Sequence, residues 1–163
     1  MKTSFLLVPF LVFPFTFPVL PETRNTVASV SADRILPADP IVTDILTLTN
    51  KARAKKGLSA LVMKDGLNRI AAGHSQNMAT GKVPFSHDGF KERYSLAKKE
   101  YAGLNGFAEN VSFGPSTGRE VVDGWMGSKH HKENILGDYT SIGIGVATDK
   151  NGRNYYTQVF GKE

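Results

Sequence analysis

Residues 124–135 read Gly-Trp-Met-Gly-Ser-Lys-His-His-Lys-Glu-Asn-Ile, and they hold the only tryptophan of the chain and two of its four histidines. From the tryptophan onward, every third residue carries an aromatic or polar group, and these residues are Trp125, Ser128, His131 and Asn134. On a helix, this spacing places the side chains along one slowly rotating side. The stretch therefore predicts a helix with an apolar start and a polar end that carries imidazole groups.

The start of this helix is predicted by Thr117 and Glu120, which match a capping box and place the first helical residue near Gly118. Its apolar side is formed by Val121, Val122, Trp125 and Met126. We therefore interpret Trp125 as a core residue rather than a platform for a ligand. A histidine at a helix end often only stabilises the helix dipole, so the spacing by itself does not make a functional site.

The composition limits the classes of function. A chain of 163 residues suits one domain, and its 40% hydrophobic and 21% charged residues are ordinary for a globular protein. The formal charge of +5 comes mostly from scattered lysines without a nucleic-acid-binding motif, so we expect no nucleic acid as a partner. The absence of cysteine excludes disulfides, thiol catalysis and cysteine-based zinc sites.

Residues 1–32 are predicted to be a signal peptide and leader. Lys2 precedes an apolar run from Phe5 to Leu20 that prolines interrupt, whereas a membrane helix needs about 20 apolar residues and tolerates proline less readily. The basic start and short apolar centre are typical of a secretory signal. We expect a secreted or extracytoplasmic domain over residues 33–163 without a transmembrane span, and an uncleaved anchor is the alternative.

Three more helices are predicted from caps and apolar spacing. The first begins at Asp39 and Pro40 and ends before Gly57, and the second is capped by Asp65 and ends before Gly81. The third has an apolar side formed by Phe90, Tyr94, Ala97 and Tyr101.

The C-terminal residues predict a β-hairpin. Residues 141–148 alternate small and β-branched side chains, residues 149–152 have turn chemistry, and residues 154–160 return as a strand. Helices followed by a small antiparallel sheet indicate the α+β class.

Three polar residues outside the hairpin are candidates for a site. His74 lies on the apolar side of the second helix, so we interpret it as a buried, hydrogen-bonded core residue. His87 is the better candidate because it lies in a loop where side chains can converge, and the next residue, Asp88, is expected to cap the third helix. Glu109 lies among apolar residues, so its carboxylate must be paired or have a shifted pKa, and an Arg or Lys is the simplest partner.

Taken in order, these motifs resemble the CAP superfamily, which comprises the cysteine-rich secretory, antigen 5 and pathogenesis-related 1 proteins and is also called the SCP domain. The motifs are Phe85-Ser86-His87, Ala108-Glu109-Asn110, residues 125–136, residues 142–146 and residues 155–160. The resemblance covers about residues 41–161 and is strongest to the cysteine-free bacterial branch. It implies an α-β-α sandwich, with a small antiparallel sheet between helices and a cleft formed by the motifs.

In many eukaryotic members of this family, the cleft holds two histidines and two glutamates. His87 matches the first histidine, and Glu109 matches the glutamate of a Gly-Glu-Asn motif in which Ala108 replaces the glycine. Ser128 stands at the position of the second glutamate and Tyr155 at that of the second histidine. Two of the four positions therefore depart from the eukaryotic pattern.

The bacterial pattern supplies His131 instead, one helical turn beyond Ser128. The resemblance therefore implies a candidate catalytic or metal-binding site formed by His87, Glu109 and His131. It also implies a cleft lined by Ser128, Asn134, Tyr155 and Gln158.

Two imidazoles and one carboxylate can hold zinc or another divalent metal ion and leave one coordination position open. Without an ion, a His–Glu pair can act as a general base. No Gly-x-Ser-x-Gly elbow surrounds Ser128, and the chain has no His-Glu-x-x-His motif.

We therefore expect a secreted binding module for a divalent metal, a lipid or sterol, or a peptide. A metal-assisted hydrolase or peptidase is one alternative. The other is a structural, envelope-associated protein in which the three residues form a buried polar network.

Overall fold

The computed structural model describes residues 39–163, so the leader predicted for residues 1–32 lies outside the described residues. This part of the chain contains five helices, which are α1 Pro40–Ala54, α2 Asp65–Ala79, α3 Phe90–Glu100, α4 Gly118–Gly127 and α5 Lys129–Ile135. None of these described helices is long and apolar enough to cross a membrane.

The same residues form one four-stranded sheet. Its strands are β1 Val62–Met63, β2 Gly106–Phe113, β3 Ser141–Thr148 and β4 Asn154–Lys162, and their order is β1-β3-β4-β2. The predicted hairpin is present as β3 and β4, and β2 also pairs antiparallel with β4. Only the two-residue β1 pairs in parallel, with β3. Because β2 has one neighbour, it forms an edge of the sheet.

Two glycines of β3 let α2 pack directly on one face of the sheet. A Cβ atom at Gly143 would collide with the backbone of Leu67, and one at Gly145 would collide with the backbone of α2 around Ala72. Alternate residues of a strand point to the same face, so both glycines present bare backbone to the helix. This close approach fixes α2, and with it the histidine that α2 carries toward the candidate site.

Helices cover both faces of the sheet, as the resemblance implies. On the face opposite α2, a cluster of buried residues includes Ile45, Val121, Trp125, Tyr156 and Phe160. On the α2 face, a smaller cluster consists of Leu67, Ala71, Ala97, Leu104 and Val159. The α+β class and the α-β-α sandwich are therefore confirmed.

The predicted N-terminal caps of α1 and α4 are confirmed. Asp39 Oδ1 accepts a hydrogen bond of 2.9 Å from the backbone N–H of Ile41, and Pro40 follows as the first helical residue. Thr117 and Glu120 form both halves of the capping box at the start of α4. Each signal involves residues only a few positions apart, so the sequence alone carries it.

Two predicted caps are wrong. Asp65 is the first residue of α2 rather than its cap, and the cap position is held by Lys64 without a side-chain hydrogen bond. Asp88 does not cap α3, because Gly89 takes the cap position with φ 78°. That left-handed conformation suits glycine and turns the chain into α3 without help from the aspartate.

The helix predicted to run from Gly118 through residue 135 is broken at Ser128. This residue has φ −96° and ψ 129°, so it is extended and separates α4 from α5. Gly124 and Gly127 precede the break and weaken the helix, since glycine is a poor helix former. The carbonyl of Ser128 accepts the first hydrogen bond of the new helix from Lys132 N–H, at 2.9 Å.

Candidate functional site

The candidate site lies at the β2 edge of the sheet. Side chains of a strand alternate between faces, so Glu109 points to the face covered by α2 and α3, while Asn110 points to the opposite face. The loop that carries His87 passes over Glu109 on the first face. Helix α5, which carries His131, packs beside Asn110 on the second face.

Glu109 is the centre of the polar contacts. Its side chain is only 1% exposed, and both of its carboxylate oxygens are engaged. Arg93 Nε donates to Oε2 at 2.6 Å, and Arg93 Nη2 donates to Oε1 at 2.7 Å. His87 Nδ1 lies 2.8 Å from Oε1. The prediction that this carboxylate is paired with a basic side chain is confirmed.

These contacts decide the charge of Glu109. Burial by itself would raise the pKa of the carboxyl group, but hydrogen bonds from His87 and Arg93 and the charge of Arg93 outweigh burial and hold the pKa below its ordinary value. The group is therefore an ionised carboxylate at neutral pH. Because an ionised carboxylate only accepts hydrogen bonds, His87 must donate through Nδ1–H.

Arg93 was not identified from the sequence as a site residue. It is 8% exposed and lies on the buried side of α3, four residues before Ala97. Its guanidinium also donates to the backbone carbonyl of Asp88 at 2.7 Å and to that of His87 at 3.3 Å. Arg93 therefore holds both the carboxylate and the loop of His87, and its four-residue offset from Ala97 is the signal that could have revealed it.

His74 is a buried, hydrogen-bonded core residue, as predicted. It is 3% exposed, and its Nε2 lies 3.0 Å from the backbone carbonyl oxygen of Ser86. Burial, followed by the charge of Arg93, lowers the pKa of His74. The neutral ring is therefore favoured, and the same Nε2 lies 3.9 Å from Glu109 Oε1 without a hydrogen bond.

His87 is the exposed member of the site. Half of its side chain, 50%, is accessible to solvent, whereas the Glu109 side chain beneath it is buried. With Nδ1–H directed at the carboxylate, the neutral ring carries its lone pair on Nε2. The loop therefore presents an oriented acceptor atom to solvent.

His131 approaches this pair from the other side of β2. Its backbone carbonyl accepts a hydrogen bond of 3.1 Å from Asn110 Nδ2, which fixes the start of α5 against the strand. Burial lowers the pKa of His131, and the charges of His87 and His130 lower it further. The fold therefore brings His131 near His87, but within the described residues only His87, His74 and Arg93 contact the Glu109 carboxylate.

Two of the four residues predicted to line the cleft, Asn134 and Gln158, take part in an amide network around Asn110. Asn134 Nδ2 donates to Asn110 Oδ1 at 2.8 Å and to the backbone carbonyl of Glu109 at 3.1 Å. Gln158 is fully buried, accepts from Asn110 Nδ2 at 3.2 Å and donates to Thr49 Oγ1 at 2.9 Å. The prediction that Gln158 lines the cleft is therefore wrong, because its side chain is fully buried and its amide is hydrogen-bonded to Asn110 and to Thr49 of α1.

The other two residues lie farther from Glu109. Tyr155 pairs with Phe113, four positions along β2 from Glu109, and its role in lining the cleft stays a prediction. Ser128 lies at the break between α4 and α5 and is partly exposed. Within the described residues, its hydroxyl forms no hydrogen bond with His87 or His131, so no serine–histidine pair is assembled.

The predicted three-ligand metal site does not fit this arrangement of donors. A metal ion at Glu109 would have to displace a guanidinium that binds both carboxylate oxygens. Within residues 39–163, no group of three or more His, Cys, Asp or Glu side chains is placed to hold a metal ion. Zinc binding by His87, Glu109 and His131 stays a prediction.

Sequence comparisons agree with this architecture. The model of the CAP family, described as the cysteine-rich secretory protein family, matches residues 46–160. The uncharacterized membrane protein YlbC of Bacillus subtilis is 37% identical over 121 residues, which are 71% of this chain and 33% of that protein. The uncharacterized protein YkwD of the same organism is 30% identical over 148 residues, or 89% of this chain and 55% of that protein. The chain thus spans between a third and about half the length of these curated relatives.

A comparison with solved structures gives the same result. An extracellular protein containing a SCP domain from Bacillus anthracis is 28% identical and superposes with a TM-score of 0.65. The match covers 75% of this chain and 40% of that one.

Proposed function

The chain belongs to the cysteine-rich secretory protein (CAP) family, and on that premise we propose that it is an extracytoplasmic binding module whose recognition group is the exposed imidazole of His87. The location is supported by the predicted leader over residues 1–32. It is also supported by the Bacillus anthracis structure, which is described as an extracellular protein.

The observation that carries the proposal is that the buried Glu109 carboxylate, with both oxygens hydrogen-bonded, lies beneath the exposed ring of His87. Keeping an ion pair such as Glu109–Arg93 out of water is expensive unless its geometry is good, and here Arg93 binds both oxygens. The carboxylate then uses its remaining capacity to orient His87 through Nδ1. A surface histidine held this firmly presents Nε2 at little further cost in entropy, which favours binding.

The ligand that this atom recognises carries a hydrogen-bond donor. Nε2 of His87 is an acceptor, and the neutral ring of His131 nearby supplies a second polar group. The backbone N–H groups and polar side chains of a peptide match this pair. We therefore favour a peptide over a lipid or sterol at this position.

Binding is favoured over catalysis because the site lacks a second reacting group. Glu109 is held by Arg93 and so is a poor proton acceptor, and Ser128 is not hydrogen-bonded to either histidine in the described chain. Metal-assisted hydrolysis would need Glu109 as a ligand, and the guanidinium opposes that role.

A lipid remains the second candidate, in a groove that adjoins the site at His74 and Arg93. This groove has a volume of about 640 Å³ and lies between α2 and α3, with Ile70, Leu96 and Lys99 among its lining residues. Arg69 and Glu100 also line it and form an ion pair with each other. Apolar walls beside cationic groups suit a fatty acid. Lipid extracted from purified protein would support this candidate and would leave the role of His87 to be decided separately.

The proposal is tested by selecting random heptapeptides displayed on phage against the immobilised protein. We expect selected peptides to bind the parent and to lose about tenfold or more in affinity for His87→Ala, because the oriented acceptor is removed. His130→Ala is the matched control, since the His130 side chain is 89% exposed and lies outside the Glu109 contacts. Failure of the parent to enrich any peptide, or equal binding by His87→Ala, would contradict the proposal.

A further inference from the structure

A row of three aromatic side chains lies on the face of the sheet that carries Glu109, at the far end of β2. Phe85 and Phe113 meet edge to face with ring centroids 4.7 Å apart. Phe113 stacks on Tyr155 with centroids 5.8 Å apart and 22° between the ring planes. The rings come from the loop before α3, the end of β2 and the start of β4, so only the fold assembles them.

Two of these three rings are exposed, and Tyr155 is half-buried. Phe85 is 45% exposed and Phe113 is 46% exposed, and they are two of the four large hydrophobic side chains that the described residues leave exposed. Single exposed apolar residues need no explanation, but adjoining aromatic rings that stay in water are the usual mark of a contact surface.

A polar depression continues the row beyond Tyr155. It has a volume of about 550 Å³ and lies between the end of α2 and the hairpin turn, with Tyr155, Thr80, Asn151 and Arg153 among its lining residues. That volume is within the range of small-ligand sites. Aromatic and polar recognition groups therefore lie side by side on one continuous surface.

The hairpin turn that borders the depression is preorganised. Asp149 Oδ1 accepts hydrogen bonds from the backbone N–H groups of Asn151 at 2.8 Å and Arg153 at 3.0 Å. Asp149 Oδ2 accepts from Arg153 Nε at 3.0 Å. The carboxylate is thereby used within the turn, and a turn that is already ordered loses little entropy on binding.

The side chains of this turn that remain available are donors. Within residues 39–163, the Asn151 amide and the Lys150 ammonium have no side-chain hydrogen bond or ion pair. Arg153 uses only Nε and keeps its other N–H groups. A ligand that suits this surface has apolar faces for the rings and many oxygen acceptors for the donors.

From this combination we infer that the row of Phe85, Phe113 and Tyr155, with the adjoining turn at residues 149–153, is a binding site for a saccharide bearing N-acetyl groups. The C–H faces and acetyl methyl groups of such a sugar pack on aromatic rings, and its hydroxyl and acetamido oxygens accept from the turn. A proline-rich peptide also packs on aromatic residues but offers only backbone carbonyls as acceptors, so it uses fewer of the donors. The residues of this site differ from those of the one proposed for His87.

The test is a calorimetric titration of the full domain with the soluble β-1,4-linked tetramer of N-acetylglucosamine. We expect the parent to bind it and Phe113→Ala and Tyr155→Ala each to lose about tenfold or more in affinity. Val62→Ala is the matched control, because Val62 is 60% exposed but lies on β1 at the other edge of the sheet, and its affinity should equal that of the parent.

Asn151→Ala keeps the test decisive if an aromatic variant folds poorly. Asn151 is exposed in the turn, so we expect this variant to fold like the parent and still to bind the tetramer more weakly. His87→Ala should bind the tetramer like the parent, which separates this site from the proposed peptide site.

Three results would overturn the inference. The first is a parent that does not bind the tetramer. The second is a series in which Phe113→Ala, Tyr155→Ala and Asn151→Ala all bind as well as the parent, which would leave the aromatic row with only a structural role. The third is a parent that binds a proline-rich dodecapeptide through these residues and binds no sugar.

Discussion

At the scale of single residues, Glu109 contacts both helical layers of the molecule. Its side chain is bound by Arg93 and His87 on one face of β2. Its backbone carbonyl accepts from Asn134 of α5, a helix that packs against the other face. Glu109 therefore helps to position both His87 and helix α5.

The contacts of Arg93 with Glu109 limit how tightly this site can bind zinc. We expect zinc to bind weakly, through the His87 and His131 imidazoles, because Glu109 stays with Arg93. Affinity should fall on acidification, because only a neutral imidazole can bind the ion. Calorimetric titration of the parent, His87→Ala, His131→Ala and His130→Ala is the measurement, and only the first two variants should weaken binding. An affinity that His131→Ala leaves unchanged would contradict this expectation.

The sequence predicted part of this site and missed part of it for a physical reason. A carboxylate among apolar residues has to be paired, so a cationic partner for Glu109 was predictable. The identity of the partner was not, because Arg93 lies on another element, 16 positions away, and only tertiary packing brings the two together. The convergence of His131 on the same strand also depends on packing, since α5 has no local feature that directs it to β2.

At the scale of the elements, α4 is fastened to the sheet by one side chain. Trp125 is 2% exposed, and its indole Nε1 donates to the backbone carbonyl of Val111 at 3.2 Å. The residue therefore fills the core and also satisfies a buried acceptor on the edge strand.

We expect Trp125→Ala to lower the free energy of unfolding by about 3–5 kcal/mol, as large core truncations do. Trp125→Phe keeps much of the ring but leaves the Val111 carbonyl without its donor, and it should cost about 1–3 kcal/mol. Equilibrium unfolding in urea measures both changes. A loss below about 1 kcal/mol for Trp125→Ala would show that the side chain does not anchor the helix.

A helix boundary could be predicted from the sequence only where the residues that determine it are close together in the chain. The start of α4 was predictable because Thr117 and Glu120 bind each other's backbone within one turn. The break at Ser128 was not, because the three-residue spacing from Trp125 to Asn134 continues without interruption across it. Asn134 takes part in that spacing, yet its amide is directed to β2 by tertiary contacts rather than by a continuous helix.

At the scale of the whole molecule, the buried groups of His74 and Glu109 respond to acid in the same direction. His74 has a folded pKa lowered by burial and then by the charge of Arg93. As the pH falls below about 6.5, the unfolded chain gains a proton at His74 before the folded chain does, so stability is lost until the folded pKa is reached. Glu109 has a folded pKa that is also lowered. Its contribution is therefore complete above about pH 4.3 and is lost at lower pH.

We expect the free energy of unfolding to decrease from about pH 7 to about pH 5, chiefly through His74, with His131 acting in the same direction. His74→Gln retains an N–H that can donate to the Ser86 carbonyl but cannot titrate, so it should flatten this slope. Urea unfolding at several pH values compares the two proteins. Parallel slopes for parent and variant would show that another group governs the acid response.

The edge strand β2 also affects how copies of this protein behave toward one another. A free strand edge can template pairing with a strand from another molecule and so seed aggregation. Here the indole of Trp125 and the amide of Asn134 already occupy the edge carbonyls of Val111 and Glu109. An incoming strand would find these two acceptors taken, so we expect the contacts that assemble the site also to disfavour edge-to-edge pairing between molecules.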